Sequence, residues 1–130
     1  MSLTHIAGIR NSMADAAVDP IDTGTTDLTG DLVIMAAGDV EVATLAFANP
    51  AYGNGGAVVA GRADSNTIAD DTNATGGVAA LFKIQNRDNV EQWRGTVTGT
   101  GGGGDIEASN TTIGVGNTVQ CSALNYTAPA

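Results

Sequence analysis

Apolar residues alternate with polar ones over most of this chain, and the alternation is cleanest at residues 76–98. Val78, Ala80, Phe82 and Ile84 share one face at the period of two that a half-buried strand requires. Asn86-Arg87-Asp88-Asn89 supplies turn residues that tolerate left-handed backbone and bond their own main chain. A return strand then sets Trp93, Gly95 and Val97 on one face and Gln92, Arg94 and Thr96 on the other. The single Trp and one of the two Phe residues fall in this hairpin, which predicts the centre of the core there.

The same reading predicts strands at Asp31–Met35, Val40–Phe47, Ala57–Ala63, Asp105–Ala108 and Thr118–Tyr126, with a short one near Thr67–Ala69. Val40 and Val42 are in one phase and Leu45 and Phe47 in the other, so a bulge is expected near Ala43-Thr44. In the last strand Val119, Cys121 and Ala123 are in phase. About eight short strands divided by Gly, Asn, Asp and Thr loops argue for an all-β fold, an antiparallel β-sandwich or jelly roll. One helix is expected, over residues 4–19. Thr4 can cap it, Ile6, Ile9, Met13 and Ala16/Ala17 recur at helical steps, and Asp19-Pro20 ends it. A flexible arm is the competing reading of that segment. The expected organisation is an N-terminal helix or arm over 1–22 and a β-sandwich domain over 23–130.

Composition qualifies this picture. Aromatics make up 4% of the 130 residues while Gly contributes 18, so the core should be thin, rich in Ala and Val, and helped by partners. The net charge of −9, with Arg10, Arg62, Lys83, Arg87 and Arg94 scattered, disfavours nucleic acid and anionic membranes. Solubility is the simplest use of the acids. Cys121 stands alone, which excludes an internal disulfide and suggests a buried, inert thiol. No apolar run approaches the roughly 20 residues of a membrane span. Met-Ser-Leu-Thr-His-Ile lacks the basic start and apolar core of a secretion signal, so synthesis in a cytoplasm is expected.

Motifs for chemistry are weak. Gly99-Thr-Gly101-Gly-Gly-Gly104 matches the dinucleotide pattern, but that chemistry needs a helix N-terminus next, and Asp105-Ile-Glu-Ala follows. A flexible hairpin loop is the expected reading. Asp64, Asn66, Asp70 and Asp71 offer oxygens at spaced positions, yet Ala69 stands where a calcium loop needs Gly, and no Glu closes it. His5 and Cys121 lie far apart in the chain, and no G-x-S-x-G elbow exists. Carboxylate pairs for glycoside hydrolysis lack the aromatics that usually line such clefts. The sequons at Asn73, Asn110 and Asn125 carry little meaning without a secretion signal. No catalytic residue, cofactor or metal is expected.

Four stretches resemble a family of small virion proteins of tailed bacteriophages, encoded among the head genes. They are Ile9–Asp22, Val42–Gly53, the hairpin ending Arg94-Gly-Thr-Val, and the tail Ile113–Pro129, which together span most of the chain. The turn Arg87-Asp88-Asn89 departs from the Asp-Gly expected there, which affects turn type and not function. The resemblance implies a non-enzymatic capsid decoration or cement protein on the virion surface. Such a protein would form a homo-oligomer and bind the major capsid protein, with no direct nucleic-acid or membrane contact. Ile6, Ile9 and Met13 are the expected partner-docking residues, because so small a stripe cannot support a helix alone. The alternative is a tail, collar or fibre-associated module that binds a host glycan, with Tyr52, Trp93 and Tyr126 as its only aromatic candidates.

Overall fold

The computed structural model describes residues 3–129 and is built mostly from short strands with one helix at the N-terminal end. Helix α1 runs Ala7–Val18 and passes into a 3-10 turn at Asp19–Asp22, where Pro20 removes an N–H the α-helix would need. The strands are β1 (Asp31–Ala36), β2 (Val40–Ala46), β3 (Arg62–Ala63), β4 (Gly77–Val78), β5 (Leu81–Gln85), β6 (Glu91–Gly99), β7 (Ile106–Ala108), β8 (Thr112–Ile113) and β9 (Tyr126–Thr127). Five of them form one sheet in the order β2-β1-β5-β6-β7. Two ribbons, β3 with β9 and β4 with β8, stand beside it.

The predicted central hairpin is present as β5 and β6. Ile84 pairs with Trp93 and Phe82 with Gly95. Val78 does not extend β5: it belongs to β4, pairs with Thr112 and is exposed. The turn uses Asn89 at positive φ, and the Asn86 side chain accepts from the N–H groups of Asp88 and Val90. That bonding does for Arg-Asp-Asn what Asp-Gly does by conformational freedom alone. The expected bulge in β2 lies one residue early. Ile34 pairs with Ala43 and Met35 with Glu41, so Val42 is the extra residue, and both Val42 and Ala43 are buried.

Four expectations need correction. The sheet is mixed rather than purely antiparallel, because β7 runs parallel to β6 with Val97 opposite Ile106. Parallel neighbours usually need a crossover of about a dozen residues. Here Gly99–Gly104 folds back at once, with Gly101 and Gly103 at φ near +80°. Gly102 N–H donates to the Gly99 carbonyl and Gly104 N–H to Thr98 Oγ1, so the segment is a tied return and not a flexible hairpin loop. The strand expected at Ala57–Ala63 shrinks to Arg62–Ala63, since residues 57–61 turn against α1. The strand expected at Thr118–Tyr126 shrinks to Tyr126–Thr127. Val119 exchanges both bonds with Asp71, then Leu124 N–H donates to Ser65 Oγ, and the chain never joins the sheet.

One core unites these parts. Leu32, Ile34, Leu45, Phe82, Ile84 and Val97 from the sheet meet Ala14, Val18 and Ile21 from the helical segment. On the other side of β1, Val33 and Met35 are also buried, among Glu41, Thr44 and Lys83. The long side chains of those neighbours can shield them without a second layer. Trp93 is half-buried at the margin of the core. It meets Phe82 edge-on at 6.1 Å and Tyr126 at 5.5 Å, and its Nε1–H donates to the Ala17 carbonyl at 3.2 Å. Trp93→Ala therefore removes ring packing and a tie to the helix together. The expected loss is about 3 kcal/mol, the low end for a large aromatic because the ring is only half-buried. Urea denaturation of the variant measures this, and an unchanged midpoint would show that the ring contributes nothing to the core.

Candidate functional site

The helix that carries the expected docking residues is held by its neighbours more than by its own caps. Its N-cap is Ile6, in extended conformation and without a side-chain cap, so Thr4 does not serve. The buried face is Ala14 and Val18, with Met13 and Ala17 packed at its margin. Small residues define this face because a loop of backbone lies directly on the helix. Gly55 sits so close that a Cβ there would overlap the Asn11 carbonyl. Gly55 N–H donates to Asp15 Oδ1 at 2.6 Å, Gly61 N–H donates to Asn11 Oδ1 at 2.7 Å, and Arg10 Nη2 reaches the Ala128 carbonyl. Three polar side chains on successive parts of one face thus fasten the helix to residues 55–61 and to the C-terminal end.

The stripe read from the sequence is divided by this clamp. Met13 packs against the core, whereas Ile6 is 71% exposed and Ile9 48% exposed. Leu3, which the helical spacing did not include, is 68% exposed beside them. All three are thus exposed apolar side chains at the start of a segment whose later turns are fastened to the body. Ala16, also placed on the stripe by spacing, faces solvent.

The other sequence candidates are placed apart. Asp64 takes a two-point bond from Arg62, Asp70 accepts from Gln120, and Asp71 accepts the N–H groups of Thr44 and Asn73. Each carboxylate is thus engaged with a different part of the fold. No group of three or more His, Cys, Asp or Glu able to hold a metal occurs among the described residues. After the Gly99–Gly104 return comes β7, so no helix N-terminus is present to hold a pyrophosphate. Cys121 lies outside any strand and is half-buried. Burial pushes its thiol pKa up, which keeps the reactive thiolate scarce at neutral pH. Among the described residues no helix is long and apolar enough to cross a membrane.

One feature escaped the sequence pattern. A groove of about 650 Å3 lies between residues 105–110 and residues 117–125, with Leu32, Ile34 and Val97 beneath it. The strand expected at Thr118–Tyr126 would have filled this space by pairing. No periodicity shows that the segment turns away, since Asp71 and Ser65 capture it from far along the chain.

Electrostatics around these features is set by hydrogen bonds to carboxylates. The N–H groups of Thr25 and Thr26 hold the Asp88 carboxyl below its usual range, and Thr96 does the same for Asp105 through its N–H and hydroxyl. Arg94 is bound by Asp39 at 3.0 Å and Glu91 at 2.6 Å, which lowers the Asp39 pKa and raises that of the guanidinium. Burial works the other way on Asp31 and Asp19, and Asp15 and Asp22 add repulsion at Asp19.

Comparison of the chain with protein-family models, with curated proteins and with solved structures finds no match.

Two outcomes follow from this geometry. Asp15→Ala leaves the Gly55 N–H without its charged acceptor, and the expected cost is about 1–3 kcal/mol. Amide exchange at Gly55 and Gly61 should rise with it, which hydrogen-exchange mass spectrometry reads directly. The second outcome concerns acid. The Asp88 pKa is depressed in the folded state, so its contribution is present above the ordinary carboxylate pKa and is lost as pH falls through the folded value. The stability gap between the parent and Asp88→Asn should be widest at neutral pH and should close below the carboxylate range. Urea midpoints measured across pH check this, and a gap independent of pH would contradict it.

Proposed function

We propose that this chain is a non-enzymatic virion structural protein, a capsid decoration or cement protein that binds and stabilises a shell of major capsid protein. The family resemblance supplies this reading. The observation that carries it is the exposure of Leu3, Ile6 and Ile9 at the start of a segment whose helix is locked to the body through its other side chains. Exposed apolar side chains grouped on one segment suit an interface better than isolated solvent exposure does. Its location is then the outer surface of the virion, after synthesis in a host cytoplasm, as a homo-oligomer without nucleic-acid or membrane contacts. In this reading the strands form a sandwich or jelly roll, with the two ribbons serving as a partial second layer over the sheet.

The alternative, a tail, collar or fibre-associated module for a host glycan, draws on Tyr52, which is buried, and on Trp93 and Tyr126, both half-buried. It receives less support. The Trp93 and Tyr126 rings pack against each other at a tilt of 54°, and the Trp93 N–H that could meet a sugar hydroxyl already donates to Ala17.

A cement protein gains avidity by touching several shell subunits at once. Quantitative mass spectrometry of purified particles should therefore find the protein in a simple ratio to the major capsid protein. A handful of copies per particle would favour the tail or collar. Joint replacement Ile6→Asp and Ile9→Asp should sharply lower incorporation. The melting temperature should change by no more than about 2 °C, because exposed positions contribute little to folding. Normal incorporation of that variant would remove the apolar end from the interface.

A further inference from the structure

The groove beside β7 has walls of unpaired backbone. β7 is the last strand of the sheet, and among the described residues no other backbone bonds to its outer edge. On the opposite wall, residues 120–123 make no backbone-to-backbone hydrogen bond to another described residue between the anchors at Val119 and Leu124. Beneath lie Ile34, Val97 and the half-buried Ile106. Exposed strand edges are templates for a further strand unless something blocks them. The volume is within the usual range for a bound ligand, about 300–1,000 Å3.

Charge selects the occupant. The acidic side chains on the walls are Asp105 and Glu107, and among the described residues no Lys, Arg or His lines the groove. Asp105 receives two bonds from Thr96 on one carboxylate oxygen, Oδ2, and Glu107 receives the Gly101 N–H on Oε1. The second oxygen of each remains as an acceptor. A second copy of this chain suits such a groove poorly, since it carries a net charge of −9 and its five cations are scattered.

We propose that the groove binds an extended cationic segment of a partner protein by strand addition to β7. Alternate apolar side chains rest toward Ile106 and Val97, and the intervening Lys or Arg side chains meet Asp105 and Glu107. Main-chain bonds to β7 supply affinity, and the pattern of alternate side chains supplies selectivity. The proposal does not depend on where the protein acts, so it can fail while the virion reading stands, and the reverse.

The test uses the full chain, isotope-labelled for NMR, and capped heptapeptides. One alternates Lys with Val, one alternates Glu with Val, and a third is the Lys peptide N-methylated at every second residue. The Lys peptide should shift the amides of 105–109 and 120–123 and leave α1 unmoved. The Glu and N-methylated peptides should not bind. Glu107→Gln, an exposed change, should weaken the Lys peptide about two- to fivefold, as expected for one solvent-facing ion pair. Ser122→Lys, which places a cation on the opposite wall, should weaken it further. Equal binding of the Glu peptide, equal binding of the N-methylated peptide, or shifts confined to other amides would overturn the proposal. So would concentration-dependent self-association that perturbs the same amides without peptide, which would make a second copy the occupant.

Discussion

The fold rests on side-chain oxygens that accept backbone N–H groups from other loops and strands. Asp15 takes Gly55, Asn11 takes Gly61, Asp22 takes Ala51, Asp71 takes Thr44, Asp88 takes Thr25 and Thr26, and Asp105 takes Thr96. Most of these bonds join residues far apart in the chain. Loop N–H groups withdrawn from water must find acceptors, and here many of them lie outside any strand ladder. Bonds with an ionised acceptor are shorter and stronger than neutral ones. This gives the carboxylates a structural use beyond solubility, so the acidity of the chain is in part a property of its fold.

Such a scheme suits a chain with few large side chains. A backbone can approach a helix as closely as residues 55–61 approach α1 only where the side chains between them are absent or small. The core supplies the apolar part through Leu, Ile, Val and two Phe residues, and the Trp93–Phe82–Tyr126 rings close its margin. The hairpin turn is a second anchor. Arg87 exchanges backbone bonds with Thr23 and Asp27, and the Asn89 side chain reaches Asp27, so the loop after the helix is fastened to the centre of the sheet. The apolar end and the groove are therefore presented by a tied framework.

The hairpin, β1, β2 and the helix with its stop at Pro20 were legible from the sequence. Each is governed by local pattern: alternation over several residues, helical spacing, or the backbone limits of Pro. Ile6 and Ile9 fall at the start of the segment read as a helix, but the side of the helix that packs on the body was not legible. Spacing ranks faces by apolar content, whereas docking was decided by Ala14 and by Asn11 and Asp15 as acceptors. The parallel return at Gly99–Gly104 was hidden for a similar reason. A glycine run permits a hairpin and a tied return alike, and Thr98 and Thr96 with Asp105 select between them.

By itself, then, the sequence determined the class of the protein: short strands, one N-terminal helix and a core rich in Ala and Val. Those properties follow from side-chain periodicity and composition, which act within a few residues. Only the tertiary structure decided that β7 lies parallel at a free edge, that residues 120–123 leave the sheet, and that an acidic groove opens between them. The last two depend on acceptors at Asp71 and Ser65 that capture a segment more than forty residues away, and no local pattern records which distant partner an N–H will find.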